Sequence, residues 1–151
     1  MTKDKVSIRP GVRVLSVLRH LNYRPWFALA EFIDNSVQSF LDFRKEISTT
    51  DGENAHLTVE VEIEATDKGR IIIRDNAAGI HEEAFPRAFR PAEVPLDTSG
   101  LCEFGMGMKS AACWFAPTWQ IRTSALGEPD VKTVAFDIAK IVRDELEELT
   151  V

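Results

Sequence analysis

The sequence predicts an α+β sandwich, one antiparallel or mixed, mostly antiparallel sheet with helices covering a single face. Two observations carry this reading. Apolar residues alternate with period two in short runs that pair off as hairpins, and longer stretches carry helical periodicity. Their order along the chain is helices, hairpin, irregular loop, helix, hairpin, helix, which suits two layers packed on one core.

The first helix is expected where Val12, Val14, Leu15, Val17, Leu18 and Leu21 recur. Asn22-Tyr-Arg-Pro25 interrupts it, and a longer apolar-periodic stretch runs from Trp26 to about Ile47, with Pro25 suited to its first turn. Thr49-Thr-Asp-Gly-Glu-Asn54 reads as a turn. Leu57, Val59, Val61 and Ile63 then alternate with polar residues, the mark of a half-exposed strand, and Asp67-Lys-Gly69 turns the chain into a second strand over Arg70 to Arg74. From Ala77 to Gly107 the pattern is irregular, with prolines at 86, 91 and 95, and a long ordered loop of this kind is usually functional. Lys109 to Ala116 reads as a helix. Thr118 to Ser124 and Val131 to Phe136 form another hairpin around Gly127-Glu-Pro-Asp130, and Asp137 is the expected N-cap of a final helix. In that last segment Ile138, Ile141, Val142, Leu146 and Leu149 keep helical spacing, while Asp144, Glu145, Glu147 and Glu148 oppose the helix dipole.

Composition bounds the function. The 151 residues carry 18 Lys+Arg against 24 Asp+Glu, a net charge of −6, with 44% hydrophobic residues. One domain over 1–151, large enough for its own core, is expected. The acidic balance argues against broad electrostatic binding to nucleic acid, which needs clustered Lys and Arg facing phosphates. Cys102 and Cys113 lie too far apart for a CxxC pair, and His20, His56 and His81 lack ligand spacing, so reduced thiols and no structural metal are expected. No apolar run reaches the roughly 20 residues of a membrane span. The expectation is therefore a cytoplasmic protein without a membrane partner.

Three segments could carry chemistry. Glu31 and Asn35 stand one helical turn apart, with Asp34 and Gln38 near the same side. That spacing suits a carboxylate that polarises a water beside an amide oxygen that holds a magnesium ion; alone it reads as the solvated face of an amphipathic helix. Asp75 follows three isoleucines and precedes Asn76-Ala-Ala-Gly79-Ile80. A carboxylate there can accept an exocyclic amine, with small residues letting a flat ring approach the backbone; alone it is an Asp-Asn turn after a strand. Gly100-Leu-Cys-Glu-Phe-Gly105-Met106-Gly107-Met108-Lys109-Ser110 runs a glycine loop into a helix start with Lys and Ser in its first turn. Unpaired N–H groups and an ammonium there suit a polyphosphate, though the spacing is not that of a P-loop and the segment alone is a glycine-rich hinge.

Together the three segments resemble the GHKL ATPases, the superfamily of gyrase B subunits, ninety-kilodalton heat-shock chaperones, histidine kinases and MutL-type repair proteins. Glu31-Phe-Ile-Asp-Asn35-Ser resembles the ExxxN helix motif, Asp75-Asn-Ala-Ala-Gly79 the DxGxG box, and Gly105-Met-Gly107-Met-Lys109-Ser110 the GxGxK-like lid box, in the family's order. The wording of the first box looks closest to the gyrase, MutL and microrchidia (MORC) branches. The resemblance, which spans about Arg19 to Ser124, implies the two-layer Bergerat fold binding ATP and magnesium beneath a mobile lid. It implies that Asp75 bonds the adenine amine, Gly79 gives the base room beside Ile80, and Asn35 coordinates magnesium. Gly105, Met106, Gly107, Met108, Lys109 and Ser110 would wrap the phosphates, and Glu31 would activate the attacking water.

The sequence also departs from the family pattern. Ala77 replaces the first glycine of DxGxG, and Gln38 stands where many relatives carry Asp. The late-strand Gly-Thr that backs the adenine-binding Asp has no clear counterpart, with Thr123 the nearest substitute, and the Lys that gyrase and MutL take from a second domain is missing. The implied function is ATP binding and slow magnesium-dependent hydrolysis, with a nucleotide-controlled lid driving homodimerisation or movement of attached domains. The alternative is a nucleotide-binding switch without significant turnover. The crowded acidic end suggests a fragment of a longer protein.

Overall fold

The computed structural model describes residues 11–90 and 107–151. Helix α1 spans Val14–Leu18 and buries Leu15 and Leu18. Helix α2 spans Pro25–Asp42, with Arg24 as its extended N-cap and Pro25 in the first turn, where the missing N–H costs nothing. The expected continuation to Ile47 is broken at Phe43, whose φ of −107° and ψ of 21° leave the helical region before α3 resumes over Arg44–Asp51. Neither proline nor glycine causes the break. The Phe43 ring stacks on His81 at 4.8 Å, and the change of direction brings Ile47 into one apolar cluster with Phe40 and Ala78. The segment 49–51, expected as a turn, is the end of α3, where Thr49 and Thr50 hydroxyls donate to the carbonyls of Lys45 and Glu46. Gly52, at φ +95°, ends it.

Strands β1 (Val59–Glu64) and β2 (Arg70–Asp75) pair antiparallel, with Val61 opposite Ile73 and Ile63 opposite Ile71. On the opposite face Glu62 pairs with Arg74 and Glu64 with Arg70. A 3₁₀ turn over Glu82–Ala84 leads into the short helix α4 (Phe85–Phe89). Helix α5 (Gly107–Phe115) is buried from Lys109 through Cys113. Ala111 and Ala112 are small enough to let it pack between α1 and α2. Strands β3 (Thr118–Ser124) and β4 (Val131–Asp137) form the second antiparallel hairpin, and their two faces are sharply unlike. Trp119, Ile121, Val134 and Phe136 turn inward, Trp119 stacked on Phe136 at 3.8 Å, while Gln120, Arg122, Thr133 and Ala135 face out.

The α+β class holds, and the described strands are hydrogen-bonded as two two-stranded antiparallel sheets. What joins the hairpins is the segment after β2. Leu126 N–H donates to the Ala78 carbonyl at 2.8 Å, and Ile80 N–H donates to Thr123 Oγ1 at 2.8 Å. The main core gathers Leu15, Leu18, Phe85, Cys113, Val134, Phe136, Ile138 and Ile141.

Helix α6 (Ile138–Arg143) starts as expected, the Asp137 carboxylate accepting from Lys140 N–H at 3.0 Å. It stops far short of Leu149. Glu145 takes φ +50° and Leu146 N–H donates back to the Ile141 carbonyl at 3.0 Å, the bond of a Schellman cap, so the clustered carboxylates fall beyond the helix instead of in its last turn. Among the described residues no helix is long and apolar enough to cross a membrane.

Candidate functional site

Helix α2 is the spine of the site. Glu31 and Asn35 stand one turn apart, and Glu31 and Ser36 each touch a segment brought from elsewhere in the chain. Asn35 Nδ2 donates to the Glu31 carbonyl at 2.7 Å. The amide nitrogen is thus engaged by the backbone, and of the two amide atoms the oxygen is the kind that could hold a hard cation.

Ser36, buried to 5% exposure, donates to Asp75 Oδ2 at 2.9 Å, with the Phe32 carbonyl also in reach at 3.1 Å. Asp75 Oδ1 accepts from Ala77 N–H at 3.0 Å. The carboxylate at the end of β2 is thus oriented by one helix hydroxyl and one loop amide. Sequence reading named Asp75 and missed Ser36; the only signal was a hydroxyl directly after Asn35. Asn76 holds the strand's base in place, accepting from Thr58 N–H at 2.7 Å and donating to the His56 carbonyl at 3.1 Å.

The backbone itself requires glycine at 79. It has φ +73°, and a Cβ there would overlap the Ser124 carbonyl oxygen and stand 2.9 Å from its carbon. The loop is pressed against β3 at this point, where the Thr123 hydroxyl takes the Ile80 N–H. Thr123 is therefore at the edge of the Asp75 loop, on a strand, and 8% exposed.

The start of α5 closes the other end. Gly107 lies against the Glu31 carboxylate so closely that a Cβ would overlap Oε2 and stand 2.8 Å from Cδ. Burial, and after it the charge of Asp34, hold the Glu31 carboxyl above its ordinary range. A proton acceptor tuned upward toward neutrality suits general-base work. Met108 is half-buried and Ser110 is 3% exposed.

Lys109 turns its side chain toward α4. Its ammonium, 2% exposed, donates to the carbonyls of Arg87 and Ala88 at 3.0 and 3.1 Å, at the C-terminal end of α4. Carbonyls at a helix end carry partial negative charge, which a buried ammonium satisfies well. Gly105 and Met106 lie outside the described residues, as do Gly100 and Cys102.

The contacts that tie these segments together are Ser36 to Asp75, Ile80 to Thr123 and Gly107 against Glu31. The chain belongs to the histidine kinase-, DNA gyrase B-, and HSP90-like ATPases, a family that its residues 23–150 match and that binds ATP. A search of curated proteins finds none that matches the chain.

Proposed function

We propose that this domain binds ATP with magnesium and hydrolyses it slowly, with a nucleotide-controlled lid that couples the site to homodimerisation or to attached domains, as in the gyrase, MutL and MORC branches. One observation carries the reading. Helix α2 carries both junctions, Ser36 bonded to Asp75 from the second segment and Glu31 abutting Gly107 from the third, so that segments far apart in sequence meet on one helix. The residues fit the nucleotide. Asp75, held by Ser36 and Ala77 N–H, keeps acceptor capacity for an exocyclic amine. The Asn35 oxygen is a donor for magnesium, which keeps most of its waters and takes the rest of its ligands from phosphate. A glycine-rich segment that runs into α5 suits the approach of anionic oxygens to its backbone.

Magnesium would neutralise phosphate charge. Glu31 takes a proton from the attacking water, and its raised pKa makes the transfer less costly. The rest of the rate comes from positioning and charge stabilisation.

A nucleotide-binding switch without significant turnover is the second reading. It is favoured by Ala77 in place of glycine and by the commitment of the Lys109 ammonium to α4 carbonyls. Phosphate release by wild type and Glu31→Ala at saturating ATP and magnesium separates the two. Turnover lost in the variant supports hydrolysis; equal background rates leave the switch. Calorimetric titration with ADP and a non-hydrolysable ATP analogue tests the site itself, because Asp75→Asn, which turns an acceptor toward a donor, is expected to lose binding.

A further inference from the structure

His81 follows Ile80, at the far end of the loop that begins with Asp75, and its imidazole is held on two sides. The ring stacks on Phe43 at the break between α2 and α3, centroids 4.8 Å apart at 24°. Its Nε2 lies 2.9 Å from the Leu126 carbonyl, in the turn between β3 and β4. A carbonyl oxygen only accepts, so Nε2 carries the hydrogen and donates it.

These two contacts complete a circuit around Asp75. From α2 the Ser36 hydroxyl donates to Asp75 Oδ2 at 2.9 Å, and Oδ1 accepts from Ala77 N–H at 3.0 Å. The carbonyl of the next residue, Ala78, accepts from Leu126 N–H at 2.8 Å, and the carbonyl of that same Leu126 takes the His81 Nε2–H. The His81 ring then returns to Phe43, directly after the last residue of α2. The interior is filled, because Phe43, Ala77 and Leu126 pack on one apolar cluster with Ala78, which is 1% exposed. Asp75 itself stays exposed, so its carboxylate is aimed by the circuit and still open to a ligand. Leu126 is the member held at both backbone groups, and without the Nε2–H only its bond to Ala78 remains to seat the turn.

We propose that His81 is a positioning residue for the nucleotide base: through its Nε2–H it fixes the Leu126 turn against the loop that aims Asp75, and so sets the preference of the site for a purine that offers an amine over one that carries an oxygen in its place. This rests on the assignment of Asp75 to the exocyclic amine above, and it holds whether or not the bound nucleotide is hydrolysed.

The test is calorimetric titration with ADP and with IDP, which has an oxygen where ADP has the amine, into wild type, His81→Phe and His81→Gln. Phenylalanine keeps a ring for Phe43 and removes the donor; glutamine gives up the ring and returns an N–H near the place of Nε2. Wild type is expected to prefer ADP by about tenfold or more, the worth of one hydrogen bond to a carboxylate. His81→Phe should lose about fivefold of that preference through weaker ADP binding, with the IDP Kd and the thermal midpoint close to wild type. His81→Gln should recover the preference to within about twofold of wild type. A preference unchanged in His81→Phe overturns the proposal. So does an equal weakening of both nucleotides, the mark of a histidine that only supports the fold, or a His81→Gln variant that discriminates no better than His81→Phe. If wild type binds the two nucleotides alike, or binds neither, the Asp75 assignment fails first and this one falls with it; a wild-type preference that His81→Phe leaves untouched sinks this one alone.

Discussion

Gly107→Ala is the substitution on which the site geometry bears most directly. Gly107 begins α5, so alanine is compatible with its backbone and gains about 1 kcal/mol of helix propensity. The added Cβ would overlap Glu31 Oε2 and stand 2.8 Å from Cδ, against 3.4 Å or more for ordinary contact. The obstructing atoms are the end of a flexible side chain, so the carboxylate gives way and α5 does not. Its nearer oxygen must retreat by about 1 Å or more, a displacement that costs about 100-fold in rate when it falls on a group positioned for reaction. Phosphate release at saturating ATP and magnesium should therefore drop about 100-fold, close to the loss in Glu31→Ala. Urea unfolding should stay within about 1 kcal/mol of wild type, the gain in propensity offsetting the repacking of one side chain. Turnover within twofold of wild type would refute the placement of Glu31. A loss confined to nucleotide Kd would assign the added methyl to phosphate contact instead.

Gly79→Ala should behave in the opposite way, because its Cβ meets the Ser124 backbone, which cannot swing aside, and its φ of +73° strains any L side chain. A loss of about 2–3 kcal/mol in urea unfolding is expected, with nucleotide binding weakened as the Asp75 loop shifts. Glu31→Gln tests the pKa shift. Native Glu31 holds its proton to higher pH than the unfolded chain does, so the native state binds more protons across that window and stability falls as pH rises through it. Glutamine escapes this, and the variant should be the more stable protein at neutral pH, the gap closing as pH falls below the ordinary carboxylate range; a gap independent of pH would show that Glu31 is not destabilised as an anion.

Much of the frame was legible because it rests on interactions a few residues long. Pro25 in the first turn of α2, Asp137 capping α6 and the period-two pattern of β3 and β4 each report a local rule, and the structure obeys them. The order of the Glu31, Asp75 and Gly107 segments was enough to indicate the family that residues 23–150 match.

Packing decided the rest, since side-chain partners distant in sequence leave no periodic trace. Nothing local marks Phe43 as the break between α2 and α3; its ring stacks on His81, which arrives 38 residues later. Helix α6 was read too long because Leu146 and Leu149 are apolar for core contact, not for helical continuation, and Glu145 accepts a left-handed conformation that glycine would usually occupy. Lys109 was legible as a cation at a helix start, but which way its long side chain turns depends on α4, whose terminal carbonyls hold the ammonium. Composition, caps and motif order thus belong to the sequence, because each is a property of neighbours along the chain. The Ser36–Asp75 bond, the contact of Glu31 with Gly107 and the Tyr23 ring against Trp114 belong to the tertiary structure, because only packing brings together atoms so far apart along the chain.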